Sequence, residues 1–288
     1  MNKSLARLVL PAALAFAAPA AAQQVVADVG FEGSEAVRYD AADDRYVVTN
    51  LGPRGPGNDG FISLVSPDGA VLDLKWIEGG VNGVSLHDPL GLFIRGDEIH
   101  VLDPKTARVF DRRTGAALRT VDVPDAVRLN DLYVTEAGVA YVTDSGSNDA
   151  AGALYRIQAD GTVQTFVARS ADLNRVNGVA VTADGLVVHG GLLSDVLTFR
   201  DAETAEIMRE ITLPTGRIDG IVALADGGLL VASQDGHNVY HVSAEGEARA
   251  VAGDIAVPAA IGYDTRRARL LVPQIVASSL SIFEIGEE

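Results

Sequence analysis

The chain has 288 residues, no cysteine, and 39 acidic against 23 basic side chains, for a formal net charge of −16. Without cysteine it can form no disulfide, and a chain this long buries a sufficient core without one. Such an acidic surface repels phosphate backbones, which argues against nucleic acid as a partner, whereas surplus carboxylates can serve a divalent cation.

The first element is not part of a fold. Lys3 and Arg7 precede an apolar, alanine-rich run over 8–19, and Ala20-Ala21-Ala22 follows as a small-residue cleavage signal. That order reads as a secretory signal peptide over 1–22, leaving 23–288 as one domain. The run is too short for a good membrane span, so the mature chain is expected to carry none. The expected destination is secretion, most simply to the periplasm.

From residue 35 a unit recurs: an opening residue, an apolar strand, a turn with Asp or Gly, then a second apolar strand. It opens at Glu35, Leu90, Asn130, Asn177, Asp219 and Ala259, in steps of 55, 40, 47, 42 and 40 residues. Each unit continues into a third and fourth strand, as over 60–65 with 70–74 and over 153–157 with 162–166. Tight turns at Pro67-Asp68-Gly69, Ala159-Asp160-Gly161 and Ala244-Glu245-Gly246 join these pairs. The one helix-like stretch, 202–209, is short and falls at a turn. A period of roughly 40–45 residues built from four short strands is a propeller blade. The fold predicted is therefore all-β, a six-bladed β-propeller of four-stranded blades. Residues 24–29 form an extra strand, expected to pair with 280–285 and close the ring, which removes exposed edges.

In a propeller the first strand of each blade lines the central channel, so the six opening residues form a ring at one face. Glu35, Asn130, Asn177 and Asp219 bring side-chain oxygens to it, and Leu90 and Ala259 are apolar. Two carboxylates and two amides make a hard-oxygen set suited to Ca²⁺ foremost, with Mg²⁺, Mn²⁺ or an oxygen-ligated Zn²⁺ as alternatives. A tetrahedral nitrogen and sulfur zinc site does not match this set. Short polar residues also begin strands for purely local reasons, but four at one equivalent position favour a site. The ends of the second strands supply an outer ring of Asn50, Asp103, Asp144, His189, Gln234 and Gln274, placed to orient the inner residues or to contact substrate. Ser145 and Ser147 lie near Asp144, but no G-x-S-x-G elbow accompanies them.

Ser34-Glu35, Arg128-Leu129-Asn130-Asp131, Asn177-Gly178 and Asp219-Gly220, in that order and at blade spacing, give the chain a resemblance to the SMP-30/gluconolactonase/LRE family. The family comprises six-bladed propellers that include metal-dependent sugar lactonases. The resemblance implies metal-ligand roles for Glu35, Asn177 and Asp219, with Asn130 at or near the metal. It also implies substrate binding by Arg128 and the role of general base for Asp219. Asp144 and His189 join Arg128 as candidate substrate contacts. The function expected is hydrolysis of a small-molecule lactone or ester. The competing class is a non-catalytic propeller that binds a protein, peptide or glycan around a structural metal.

Overall fold

A computed structural model describes residues 24–53, 57–147 and 151–286. The segment read as a signal peptide therefore lies outside the described residues. So do parts of the two glycine-rich loops that follow the second strands of the first and third units.

Strand β1 (Gln24–Val26) precedes six four-stranded antiparallel sheets. Blade 1 runs β2 (Ser34–Asp40), β3 (Arg45–Asn50), β4 (Phe61–Val65) and β5 (Val71–Glu78). Blade 2 runs β6 (Leu92–Arg95), β7 (Glu98–Asp103), β8 (Thr106–Asp111) and β9 (Ala117–Asp122). Blade 3 runs β10 (Leu129–Val134), β11 (Ala140–Asp144), β12 (Gly152–Ile157) and β13 (Val163–Ser170). Blade 4 runs β14 (Val176–Val181), β15 (Val187–Gly191), β16 (Val196–Arg200) and β17 (Ile207–Thr212). Blade 5 runs β18 (Ile218–Ala223), β19 (Leu229–Ser233), β20 (Asn238–Val242) and β21 (Ala248–Ala252). Blade 6 combines β22 (Gly262–Asp264), β23 (Arg269–Gln274) and β24 (Ser279–Glu284) with β1 as its outer strand. Gln24, Val25 and Val26 pair with Ile282, Ser281 and Leu280. The ring is thus closed by the N-terminal strand, as the repeat predicts.

The helix-like stretch 202–209 is not helical. Asp201 Oδ1 accepts from Glu203 N at 3.0 Å and Thr204 N at 2.8 Å, which fixes a turn, and β17 follows from Ile207. A side chain that bonds its own backbone in this way competes with helix formation.

The core lies between neighbouring sheets. Ile62, Leu86, Leu92, Ile99 and Phe110 fill the layer between blades 1 and 2, and Leu197, Phe199, Ile221 and Val231 that between blades 4 and 5. Burying a side chain such as Phe110 or Phe199 contributes about 2–3 kcal/mol each. Outermost strands β9 and β17 are mostly exposed, so each blade grades from an apolar interior to a wet rim.

Inner strands also touch each other directly around the channel. Gly91 N donates to Asn130 O at 2.7 Å, and Ala260 N donates to Glu35 O at 2.9 Å. Thr143 Oγ1 accepts from Asp131 N and donates to Asn177 O, and Thr49 Oγ1 does the same between Ala36 N and Leu90 O. This approach leaves no room beside the ring residues. A Cβ on Gly178 would stand 1.9 Å from Asp219 O.

Candidate metal centre at the head of the channel

The pairing of the first and second strands slips by one residue near the head of the blades. The register shifts between Ser34 and Val37, Leu129 and Leu132, Val176 and Val179, and Ile218 and Ile221. Each of these shifts spans one oxygen-bearing ring residue: Glu35, Asn130, Asn177 or Asp219. A β-bulge turns a side chain out of the alternation of the strand, here toward the axis. Blade 6 slips in the same way, from Pro258 opposite Gln274 to Gly262 opposite Leu271, and in blade 2 Leu90 and Gly91 both meet Leu102, but the ring residues there are apolar. Their inner strands start after Leu90 and Ala259, at Leu92 and Gly262.

The four oxygen-bearing residues line one cavity of about 600 Å³ at the face where the inner strands begin, together with Leu90, Arg128 and Gln234. All four are buried. Asn130 Oδ1, Asn177 Oδ1 and Asp219 Oδ1 have no hydrogen-bond partner. Buried acceptors are nearly always satisfied, and three orphaned ones around one cavity fit a positively charged group. Asp219 is held by its other oxygen, which accepts from Gln234 Nε2 at 2.7 Å. Gln234 therefore has the orienting position expected of the outer ring.

The electrostatics agree. Burial pushes Glu35 up to about 7 against the pull of Arg128, with Asp131 adding to the rise. Burial raises Asp219 well above the usual carboxylate range, and the charges of Glu35 and Asp131 raise it further. Asp131 is fully buried, its own acidity weakened by the same desolvation, with Arg38 Nη2 3.4 Å from Oδ1 and Oδ2 unpartnered. Three carboxylates share one desolvated region, and a cation would relieve their repulsion. Among the described residues no three His, Cys, Asp or Glu side chains gather as a metal cluster. The donor set is two carboxylates and two amides, all oxygen, and it fits a hard divalent cation.

Arg128 lines the cavity as expected, 3.9 Å from Asp88. Asp144 and His189 do not line it. Asp144 is fully buried and accepts from Val127 N, Arg128 N and Gly146 N at 2.8–2.9 Å, and from Arg169. Its carboxylate thus shapes the loop that carries Arg128. His189 is inside blade 4, its Nε2 accepting from Arg200 Nε at 2.9 Å. Burial and that guanidinium pull it down to about 3.

Arg175 and Arg217 also line the cavity, and the sequence reading passed over both. The signal is present in the chain as Arg-x-Asn/Asp in three consecutive blades: Arg128-Leu129-Asn130, Arg175-Val176-Asn177 and Arg217-Ile218-Asp219. Partly buried Arg38, which donates to Val37 O and Ile261 O below the ring, has no comparable signal.

Residues 32–263 match the SMP-30/Gluconolactonase/LRE-like region. The chain belongs to the SMP-30/gluconolactonase/LRE family. Comparison with curated proteins returns no match. Among solved structures, this family member is similar to the calcium-binding protein regucalcin of Agrobacterium tumefaciens, with 16% identity, TM-score 0.69, and 93% of this chain and 95% of that one covered. A gluconolactonase from Xanthomonas campestris is 18% identical with TM-score 0.64, covering 88% and 86%. Virginiamycin B lyase of Staphylococcus aureus is 15% identical with TM-score 0.61, covering 87% and 81%. At such identities the likeness establishes the propeller fold alone.

Proposed function

We propose that this propeller is a metal-dependent hydrolase of a sugar lactone or related ester, exported by its N-terminal segment. Glu35, Asn130, Asn177 and Asp219 would hold the cation, and Ca²⁺ suits them best. The observation that carries the reading is the set of three orphaned, buried acceptors, with Glu35, around a single cavity. Family membership and the lactonase and calcium-binding neighbours support it.

A bound divalent cation supplies positive charge to a lactone carbonyl as its oxygen becomes an oxyanion. The side chains do the rest. Gln234 fixes one oxygen of Asp219 and leaves the other toward the cavity, where it takes a proton from the attacking water. The water oxygen bonds to the acyl carbon, the acyl–oxygen bond of the ring breaks, and the proton passes to the departing alkoxide. The product is the open hydroxy acid. Arg128 orients the substrate through its planar fork. Leu90, Leu192, Val257 and Ile275 give the cavity an apolar stretch beside these groups.

The test is calorimetric titration of Ca²⁺ together with turnover of aldonolactones and aryl esters, with and without chelator. Asp219→Ala is expected to abolish both cation binding and turnover, about 100-fold or more in kcat/KM, while the far-ultraviolet β signature persists. Retained hydrolysis in Asp219→Ala, or in excess chelator, overturns the assignment. Cation binding without turnover of any substrate leaves the metal site and favours a binding module.

A further inference from the structure

Arg128, Arg175 and Arg217 occupy one structural position. The carbonyl of each accepts from the residue just past the second strand of its blade: Ser145 N at 3.0 Å, Leu192 N at 3.1 Å and Gln234 N at 3.1 Å. The same bond in blade 1 runs from Leu51 N to Gly33 O at 3.1 Å. Three adjacent blades therefore deliver a guanidinium to one wall of the cavity, two residues before its oxygen donors.

Two of them hold that place against their backbone preference. Arg175 has φ 54° and Arg217 φ 52°, in the left-handed region that disfavours any residue with a Cβ. Blade 1 places a glycine there, Gly33 with φ 68°. Glycine serves the backbone better at this position, so the guanidinium groups require another reason.

Charge supplies one. Elsewhere in this acidic chain arginines take close carboxylate partners, such as Arg108–Asp103 at 3.0 Å and Arg267–Asp44 at 2.8 Å. Arg128 and Arg217 have only long ion pairs, to Asp88 at 3.9 Å and to exposed Asp235 at 3.8 Å, both beyond hydrogen-bond reach. Arg217 donates instead to the neutral Gln234 Oε1 at 2.9 Å. Arg175 Nε is buried without a hydrogen-bond partner. With a divalent cation balancing Glu35 and Asp219, three guanidinium groups face two solvent-screened carboxylates, and the wall keeps one surplus positive charge and planar, bidentate donors that no side chain saturates.

We propose that these three arginines form an oxyanion subsite, so that the substrate is an acidic lactone: one bearing a carboxylate or phosphate besides the ester. The inference rests on the hydrolase reading of the same cavity. The cation site takes the ester end and the arginine wall takes the anionic end. Arg217, bonded to Gln234 and through it to Asp219, links the two.

The first arm measures binding, which needs no turnover. Gluconate, glucarate and 6-phosphogluconate are titrated into the Ca²⁺-loaded protein, into Arg175→Gly and Arg217→Gly, and into the double variant. At least one of glucarate and 6-phosphogluconate, dianions in the sense of two anionic groups each, should bind about 10- to 100-fold more tightly than gluconate, as charge-assisted bidentate contacts imply. The double variant should bring all three within about threefold of each other. Whichever dianion binds more tightly identifies the group as carboxylate or phosphate. Because glycine relieves the backbone, the variants should melt at or above the wild-type temperature, which separates lost recognition from lost folding. The second arm compares hydrolysis of a neutral aldonolactone with an aldaric monolactone and a 6-phosphoaldonolactone, expecting the same preference and its collapse in the double variant. Dianion selectivity without turnover removes the hydrolase reading and keeps the subsite. Equal affinity for all three ligands, or selectivity that survives the double variant, overturns the subsite whether or not neutral lactones are hydrolysed.

Discussion

The two mouths of the channel are lined by the same inner strands, a few residues apart, and they differ in kind. At the upper mouth the strands are bulged, and four of them carry buried oxygens there, with arginines at the rim. At the lower mouth the pairing is regular. A cavity of about 300 Å³ there is lined by Tyr39, Phe93, Tyr133 and Tyr263, with the Phe93 and Tyr133 rings tilted at 57° and 4.8 Å apart. The lower half of each strand obeys ordinary alternation and packs. The upper half gives up alternation and leaves buried acceptors unsatisfied. Buried acceptors left unsatisfied in three adjacent blades mark where stability has been traded for function.

The sharpest way to break the contrast is a methyl group at each mouth of one blade. Gly178→Ala would place a Cβ 1.9 Å from Asp219 O, forcing apart the blades that carry Asn177 and Asp219. It is expected to cost about 3 kcal/mol, lowering Tm by about 5–10 °C, and to weaken Ca²⁺ binding. Gly185→Ala, in the hairpin at the lower end of the same blade, meets nothing within 4 Å and has only its φ of 85° against it. That change should cost about 1 kcal/mol and leave cation affinity unaltered. Thermal melts with parallel calorimetry decide it. Equal losses of cation affinity from the two variants would erase the distinction between the mouths.

Much of this was legible in the chain because a propeller repeats. The spacing of Glu35, Leu90, Asn130, Asn177, Asp219 and Ala259 yields the blade count, the ring and its apolar side. The bulges were not legible, because they are properties of pairing between strands rather than of either strand. Strand ends were harder still. Gln234 does hold a ring residue, one of the two roles the sequence offers the outer ring, but the reading that puts His189 at the head of blade 4 does not match the register. There the true counterpart of Asn50 and Asp144 is Gly191, which pairs with Val176. A polar residue was the expected marker of that end. Gly190 and Gly191 stand there instead because a Cβ at either would press on Ile218 or on Asn174 O at 2.4–2.5 Å. Arg175 and Arg217 were missed for a different reason. They belong to the loop before each strand, where an arginine alone reads as surface.

A second measurement sharpens the contrast through pH. Glu35, raised to about 7 by burial, binds its proton more tightly in the folded chain than in the unfolded one, and Asp219 shifts the same way. The folded state therefore loses stability as pH rises through that value. His100 and His189, lowered to about 4 and about 3, act in the opposite sense below their unfolded pKa of about 6.5. Between about pH 6.5 and 8 the histidines still add some stability as their unfolded forms lose protons, so the readout is the difference between two curves. Stability in chelator should fall by about 1 kcal/mol relative to stability in saturating Ca²⁺ over that range, because the cation holds both carboxylates ionised and the histidines act equally in both. Two curves of the same slope would mean that the upper-mouth carboxylates do not hold the cation.

The smallest expected effect tests where the site stops. His189 is two residues short of the head of β15, and its ring accepts from Arg200 within the blade rather than facing the cavity. A glutamine can accept the same bond, so His189→Gln should leave kcat/KM within about threefold of wild type, less than 1 kcal/mol in transition-state stabilisation. Any cost should appear in the melt, since a buried partner of a guanidinium has been reshaped. The pH profile is the more telling readout. A histidine whose pKa is held near 3 cannot act as a base that titrates near neutrality, so the variant should keep the wild-type profile above pH 5. A tenfold loss in kcat together with a vanished limb of that profile would move the general base from Asp219 into blade 4. It would also mean that the functional region reaches below the bulges, into the part of the strand that otherwise only packs.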